Sequence, residues 1–197
     1  ADGRGIHRAG GPHVRSLGID PITDTQATFR ALVEAMSRPG TIHPVPTSPA
    51  DHAVISTLVD HEVSCHTDDV RTREALADAG RLTTGEIGSA AIVHSVGPLS
   101  VQHTQLAQGT DIEPSMGATV IYRIDALAHD PPDGGVSLTL RGPGVDGARQ
   151  LGVMGLPVSE FSAIAGVQAG YPRGIDVVLC APGAVAALPR SVTMEVS

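Results

Sequence analysis

Thr23-Asp24-Thr25-Gln26-Ala27-Thr28-Phe29-Arg30-Ala31-Leu32-Val33-Glu34-Ala35-Met36-Ser37-Arg38-Pro39-Gly40 holds a helix start, an apolar stripe and a hard stop. Thr23 with Gln26 three positions on predicts a capping box, in which each side chain satisfies a backbone N–H. Phe29, Leu32, Val33 and Met36 recur at i, i+3, i+4 and i+7, which predicts a buried helical face. Arg38-Pro39-Gly40 ends the helix, because proline restricts the residue before it and cannot continue the ladder. On this reading the four large apolar residues are core. Only the Ser37-to-Gly40 stop is left for contact with something else.

Working outward, Ala1 to Leu17 reads as a flexible arm, and residues 18–197 as a single domain. Past the helix, His43 to Pro46 is extended. Ser48-Pro49-Ala50-Asp51 predicts a second helix start, with proline at the first position and an acid in the first turn. Ala50, Val54, Thr57 and Leu58 would form its buried face. Glu62 to His66 reads as a short strand, and Asp68 as the cap of a third helix that stops at Gly80. Ala90 to Val96 and Ile175 to Cys180 are short, apolar and β-branched, as buried strands are. Leu99 to Ala107 suggests a short helix, and Thr119 to Ile124 a strand. Val136 to Leu140 and Gln150 to Val153 suggest an antiparallel unit. Pro157 opens a helix with Phe161, Ile164 and Ala165 on one face. Val185 to Leu188 and Val192 to Val196 are expected to pair after Ile175 to Cys180. Helices alternating with apolar strands indicate an α/β layered fold with a mixed sheet.

Composition excludes several function classes. The chain has 197 residues and a formal net charge of −8, which opposes a nucleic-acid footprint. Four aromatic residues are too few for a base-stacking platform. All 13 basic residues are arginine, and there is no lysine. A Schiff base with pyridoxal phosphate and a Walker-type phosphate contact are therefore both unavailable. Two cysteines are too few for a disulfide framework or a zinc site of their own. No stretch reaches the ~18 apolar residues of a membrane span, and residues 1–17 hold no apolar run. A cytoplasmic protein with reduced thiols is the expectation.

Gly142-Pro143-Gly144-Val145-Asp146-Gly147 matches G-x-G-x-x-G literally. A dinucleotide fingerprint must open a helix, whereas Ala148 to Val153 reads as a strand, so a glycine-rich turn is expected. His61-Glu62-Val63-Ser64-Cys65-His66 misses H-E-x-x-H by one position, and on a strand its ligands would split between faces. No metal is expected there. His43, His52, His94, His103 and His129 are scattered and read as lone polar residues. Tyr171-Pro172-Arg173-Gly174-Ile175-Asp176 places Arg173 and Asp176 at the mouth of a buried strand, suited either to a turn-fixing pair or to an anion or partner contact.

Two ordered blocks carry a family resemblance. The first is Asp20-Pro21, Gln26, Phe29-Arg30-Ala31-Leu32 and Ala35-Met36-Ser37-Arg38-Pro39-Gly40. The second is Tyr171 to Leu179, followed by Ala187-Leu188-Pro189-Arg190 and Val192-Thr193-Met194-Glu195-Val196. Gly117 to Ile121 and Leu138 to Gly144 fall between them in order. Over about Gly18 to Val196 the chain resembles the H subunit of the bacterial carbon–phosphorus lyase system, the PhnH family. The resemblance implies a three-layer α/β/α sandwich related to the pyridoxal-phosphate transferase fold, without that cofactor. It implies work beside G, I and J subunits, supporting with G and I the displacement of adenine from ATP by a phosphonate. The product of that step is a ribose 1-phosphonate 5-triphosphate. Self-association as a homodimer is left open. The family supplies no catalytic residues to carry over. Arg38, Arg173, Asp176 and Arg190, which flank the two blocks, are the candidate ligand or partner contacts. Three functions are weighed: an accessory subunit, a subunit that itself binds ATP or phosphonate near Arg173 and Asp176, and a stand-alone nucleotide enzyme using Gly142 to Gly147.

Overall fold

Short β-branched runs build the centre of the molecule. The computed structural model describes residues 19–81, 83–130 and 133–197. The predicted N-terminal arm lies outside them. Strands β2 (Cys65–Thr67), β3 (Ile92–Val96), β4 (Thr119–Arg123) and β8 (Asp176–Ala181) are mutually parallel. Strands β9 (Ala184–Leu188) and β1 (His43–Pro44) extend that sheet antiparallel, giving the order β1-β9-β8-β4-β3-β2. Parallel strands are covered on both faces, which is why β4 and β8 read as continuous apolar runs.

The two faces separate by alternation. Val120, Tyr122, Val177 and Leu179 enter one core, while Ile121, Val178 and Cys180 enter the other. Helices α1 (Thr23–Ser37) and α2 (Ala50–Leu58) cover the second face. The first face carries helix α4 (Val158–Gln168) and a four-stranded antiparallel sheet. That sheet has the order β10-β6-β7-β5, from β5 (Ala126–Ala128), β6 (Val136–Arg141), β7 (Arg149–Met154) and β10 (Thr193–Val196). The mixed α/β expectation therefore holds, with a second sheet in the outer layer. Residues Val192 to Val196 do not follow β9 into the main sheet; Met194 pairs with Leu140 of β6.

Several local expectations shift. Thr23 does not cap α1. Oδ1 of Asp20 accepts from the Ile22 and Thr23 backbone N–H groups at 2.9 and 2.7 Å, and Asp24 accepts from the Asp20 N–H at 2.9 Å. A carboxylate reaching two donors displaces the hydroxyl as cap. Helix α3 (Val70–Asp78) is capped by Asp69, which accepts from the Thr72 N–H at 2.8 Å, one residue later than expected. Leu99 to Ala107 forms only a 3₁₀ turn, His103–Gln105.

The Gly142-to-Gly147 segment is the β6–β7 hairpin, with Leu140 paired to Arg149. No helix follows it, so the nucleotide reading fails. Gly144 has φ +79°, and a Cβ there would meet the Ser37 carbonyl and lie 2.9 Å from Pro39 Cδ. The glycine thus admits the end of α1, not a phosphate. Arg149 closes the joint by donating to the Pro39 carbonyl at 2.8 Å.

The buried side of α1 is Thr28, Ala31, Leu32 and Ala35; Phe29 and Val33 are exposed. Pro39 and Gly40 are buried. The sequence reading of this segment is therefore reversed on two points: part of its apolar stripe faces outward, and the Pro39-Gly40 half of its stop faces inward.

Candidate functional site

A cleft of about 420 Å³ opens at the carboxyl ends of β3, β4 and β8, lined by Pro49, Val96, Arg123, Ile124, Asp125 and Cys180 among others. Crevices at this edge of a parallel sheet commonly hold ligands. Arg123 and His94 point to the same face, because they occupy equivalent alternating positions on neighbouring strands, with His94 paired to Ile121 and Arg123 to Val96. Asp51 reaches them from the first turn of α2.

Asp51 is fully buried, and its Oδ2 accepts from Arg123 Nε at 2.9 Å, Arg123 Nη2 at 2.7 Å and His94 Nε2 at 2.8 Å. Burial alone would raise the Asp51 pKa. The His94 and Arg123 hydrogen bonds, with their charges, instead hold it down at about 2. His94 Nδ1 lies 2.8 Å from Thr67 Oγ1, whose oxygen also accepts from the Asp69 N–H. Arg123 Nη2 donates to His52 Nε2 at 2.9 Å, and burial lowers the His52 pKa, which suits an accepting ring nitrogen. Acid, imidazole and hydroxyl thus stand in line, as in nucleophilic hydrolases. Thr67 is only 3% exposed, however, so no substrate reaches its hydroxyl. The Cys180 thiol, at the cleft wall, is pushed well up by burial and stays protonated.

Asp51 makes stability acid-sensitive. Its folded pKa lies below the ordinary 3.8, so its contribution is complete above that value and is lost as pH falls towards about 2. That shift corresponds to about 2 kcal/mol. Chemical denaturation between pH 5 and 2 should show this loss, and Asp51→Asn should flatten it.

A second buried network lies across the sheet. Tyr122 donates to Glu160 Oε1 at 2.6 Å, His103 Nε2 sits 2.9 Å from the Tyr122 oxygen, and the Leu99 N–H donates to Glu160 at 3.0 Å. Burial and the adjacent Glu160 carboxylate push the Tyr122 pKa far up, so the phenol stays a donor. This network ties α4 to β4 and to the loop after β3.

The four residues singled out from sequence do not converge. Asp176 and Arg190 form one pair: Arg190 Nε lies 3.2 and 3.1 Å from the two carboxylate oxygens, and Nη2 2.5 Å from Oδ2. The remaining guanidinium bonds go to the Pro114 and Gly117 carbonyls. Arg173 pairs with Asp111 at 3.3 Å on the surface, and Arg38 with Glu34 at 3.4 Å. Asp176 and Arg190 border a shallow depression of about 320 Å³ beside the exposed ring of Tyr171. That depression is at the amino end of β8, opposite the Arg123 cleft. His61 and Cys65 also separate, one beside Glu62 on the surface and the other buried.

The family model for bacterial phosphonate metabolism protein (PhnH) matches residues 19–195, which takes in every element above but the last residue of β10. The chain belongs to the PhnH family. Among its PhnH relatives is the Alpha-D-ribose 1-methylphosphonate 5-triphosphate synthase subunit PhnH of Rhizobium meliloti (strain 1021). It is 30% identical over 191 residues, covering 89% of this chain and 92% of that protein. A protein of Stutzerimonas stutzeri, provisionally described as the C-P lyase subunit HtxG, is 30% identical over 171 residues. That match covers 84% of this chain and 83% of the relative. Both PhnH blocks read from the sequence thus fall inside the matched region, apart from Val196 at the end of the second. The Asp51–His94–Arg123 network was missed because its members are up to 72 positions apart and carry no spacing signature.

Proposed function

We propose that this PhnH-family chain is an accessory subunit of the carbon–phosphorus lyase core complex. It would support, with the G and I subunits, formation of a ribose 1-phosphonate 5-triphosphate, and would act through contacts with G, I and J in the cytoplasm. The naming of its relatives as subunits of the synthase and of the lyase favours this reading. Arg38, Arg173 and Tyr171 are outward-facing and available to a partner. Self-association as a homodimer and kinship with the pyridoxal-phosphate transferase fold belong to the same reading.

Direct binding of ATP or a phosphonate is the second reading. Its best support is the Arg123 cleft, where Nη1 has no partner among the described residues. Calorimetric titration of the isolated chain with ATP and with methylphosphonate separates the two. The accessory reading expects no saturable binding. Saturable binding abolished by Arg123→Met or by Arg173→Ala would replace it with direct ligand binding.

A further inference from the structure

We propose that the outward stripe of α1 seats an amphipathic helix from a different protein chain, one carrying a carboxylate opposite Arg30. The proposal rests on the accessory-subunit reading and names the surface through which it acts.

Ile22, Phe29 and Val33 are 66%, 55% and 46% exposed, and Met36 is half-buried. Their positions step by seven, four and three. On a helix of 3.6 residues per turn they fall in one narrow stripe, the spacing of a seam that accepts a second helix. Exposed large apolar residues are ordinarily scattered; three aligned from the N-cap along one helix, continued by the half-buried Met36, mark an interaction surface. Gln26, exposed on the same stripe, supplies the lone polar position that fixes register in such seams. Alongside runs a groove of about 330 Å³, with Phe29, Val33 and Met36 on its wall and Leu32, Leu58 and Val178 among its other lining residues. Incoming side chains would therefore reach the apolar layer over β8.

Charge selects the occupant. Arg30 flanks the seam next to Phe29 and has no ion pair among the described residues. A two-fold pairing of α1 with a second copy, centred on the seam near Phe29, would bring the two Arg30 side chains together. Glu34, one turn on and held by Arg38 at 3.4 Å, would lie opposite Thr25 and relieve nothing. Like charges across a helix pair oppose association. A foreign helix with an acid at that flank satisfies both the apolar stripe and the arginine.

The test is co-expression of the full chain, tagged, with the G, I and J subunits, comparing wild type, Phe29→Glu/Val33→Glu, Arg30→Glu and the control Ile112→Glu. Thermal melts check the fold, and native mass of each chain alone reports self-association. The expected result is about 100-fold weaker capture for the double variant and about 10-fold weaker for Arg30→Glu. Melts, native mass and the control should be unchanged. Capture of the double variant at the wild-type ratio overturns the seam and leaves the accessory reading standing. A native mass halved by the double variant overturns it in favour of a second copy. Failure of the wild type to capture the other subunits overturns both.

Discussion

Asp51→Ala should cost about 3–5 kcal/mol of folding stability, the range for breaking a buried ion pair by removing one partner. The carboxylate accepts three hydrogen bonds within 2.9 Å and is fully buried. Without it, the buried His94 ring loses its Nε2 partner, while Arg123, whose side chain is 29% exposed, can turn towards the cleft. The imidazole therefore carries most of the penalty. Removing the imidazole as well, as in Asp51→Ala/His94→Leu, should recover part of the loss, since an apolar replacement leaves no buried ring nitrogen without a partner. Urea titrations of the three proteins measure this. A single-variant loss below about 1 kcal/mol would mean that the network is solvated in solution.

Arg190→Ala should cost about 2–4 kcal/mol, because one guanidinium holds three segments together. It ties Asp176, at the start of β8, and the chain beyond β9 to the 3₁₀ turn Pro114–Met116 that precedes β4. The side chains of Arg190 and Asp176 are 13% and 18% exposed, so solvent replaces little of what is lost. Arg190→Lys should recover less than half, since an ammonium cannot reproduce the planar fork. Denaturant midpoints decide the point. A lysine variant as stable as the wild type would show that charge alone suffices. These two expectations also bear on function. A residue locked this firmly into the frame can shape a docking surface without binding a ligand itself.

The parallel sheet was legible because buried strands leave uninterrupted apolar runs, as in Ile175 to Cys180. The hairpin at Gly142 was legible because strand-like residues follow it where a helix would be needed. The family was legible from the order of blocks, although no block is specific alone. The orientation of α1 was not. Thr28, Ala31, Leu32 and Ala35 repeat with the same spacing as Phe29, Leu32, Val33 and Met36. A 3.6-residue period cannot choose between two adjacent stripes. Tertiary contact chose the smaller residues, which let the helix approach the sheet closely. The large residues that look most like core were left facing outward. Asp51 was illegible for a related reason: an acid in a first turn is the ordinary mark of a solvated helix start, and only its neighbours in space show that it is buried. His94 and Asp51, 43 positions apart, meet only because β3 runs beside β4 under α2.

Among the described residues, no helix is long and apolar enough to cross a membrane. The proposed role rests on association with other proteins, which the relatives' names as subunits favour. The central claim is tested most directly by purifying the tagged full chain after co-expression with the G, I and J subunits and weighing the product by native mass spectrometry. The account predicts a single assembly containing this chain in a fixed, stoichiometric ratio to the other three. An assembly of G, I and J that forms fully and excludes this chain would contradict it.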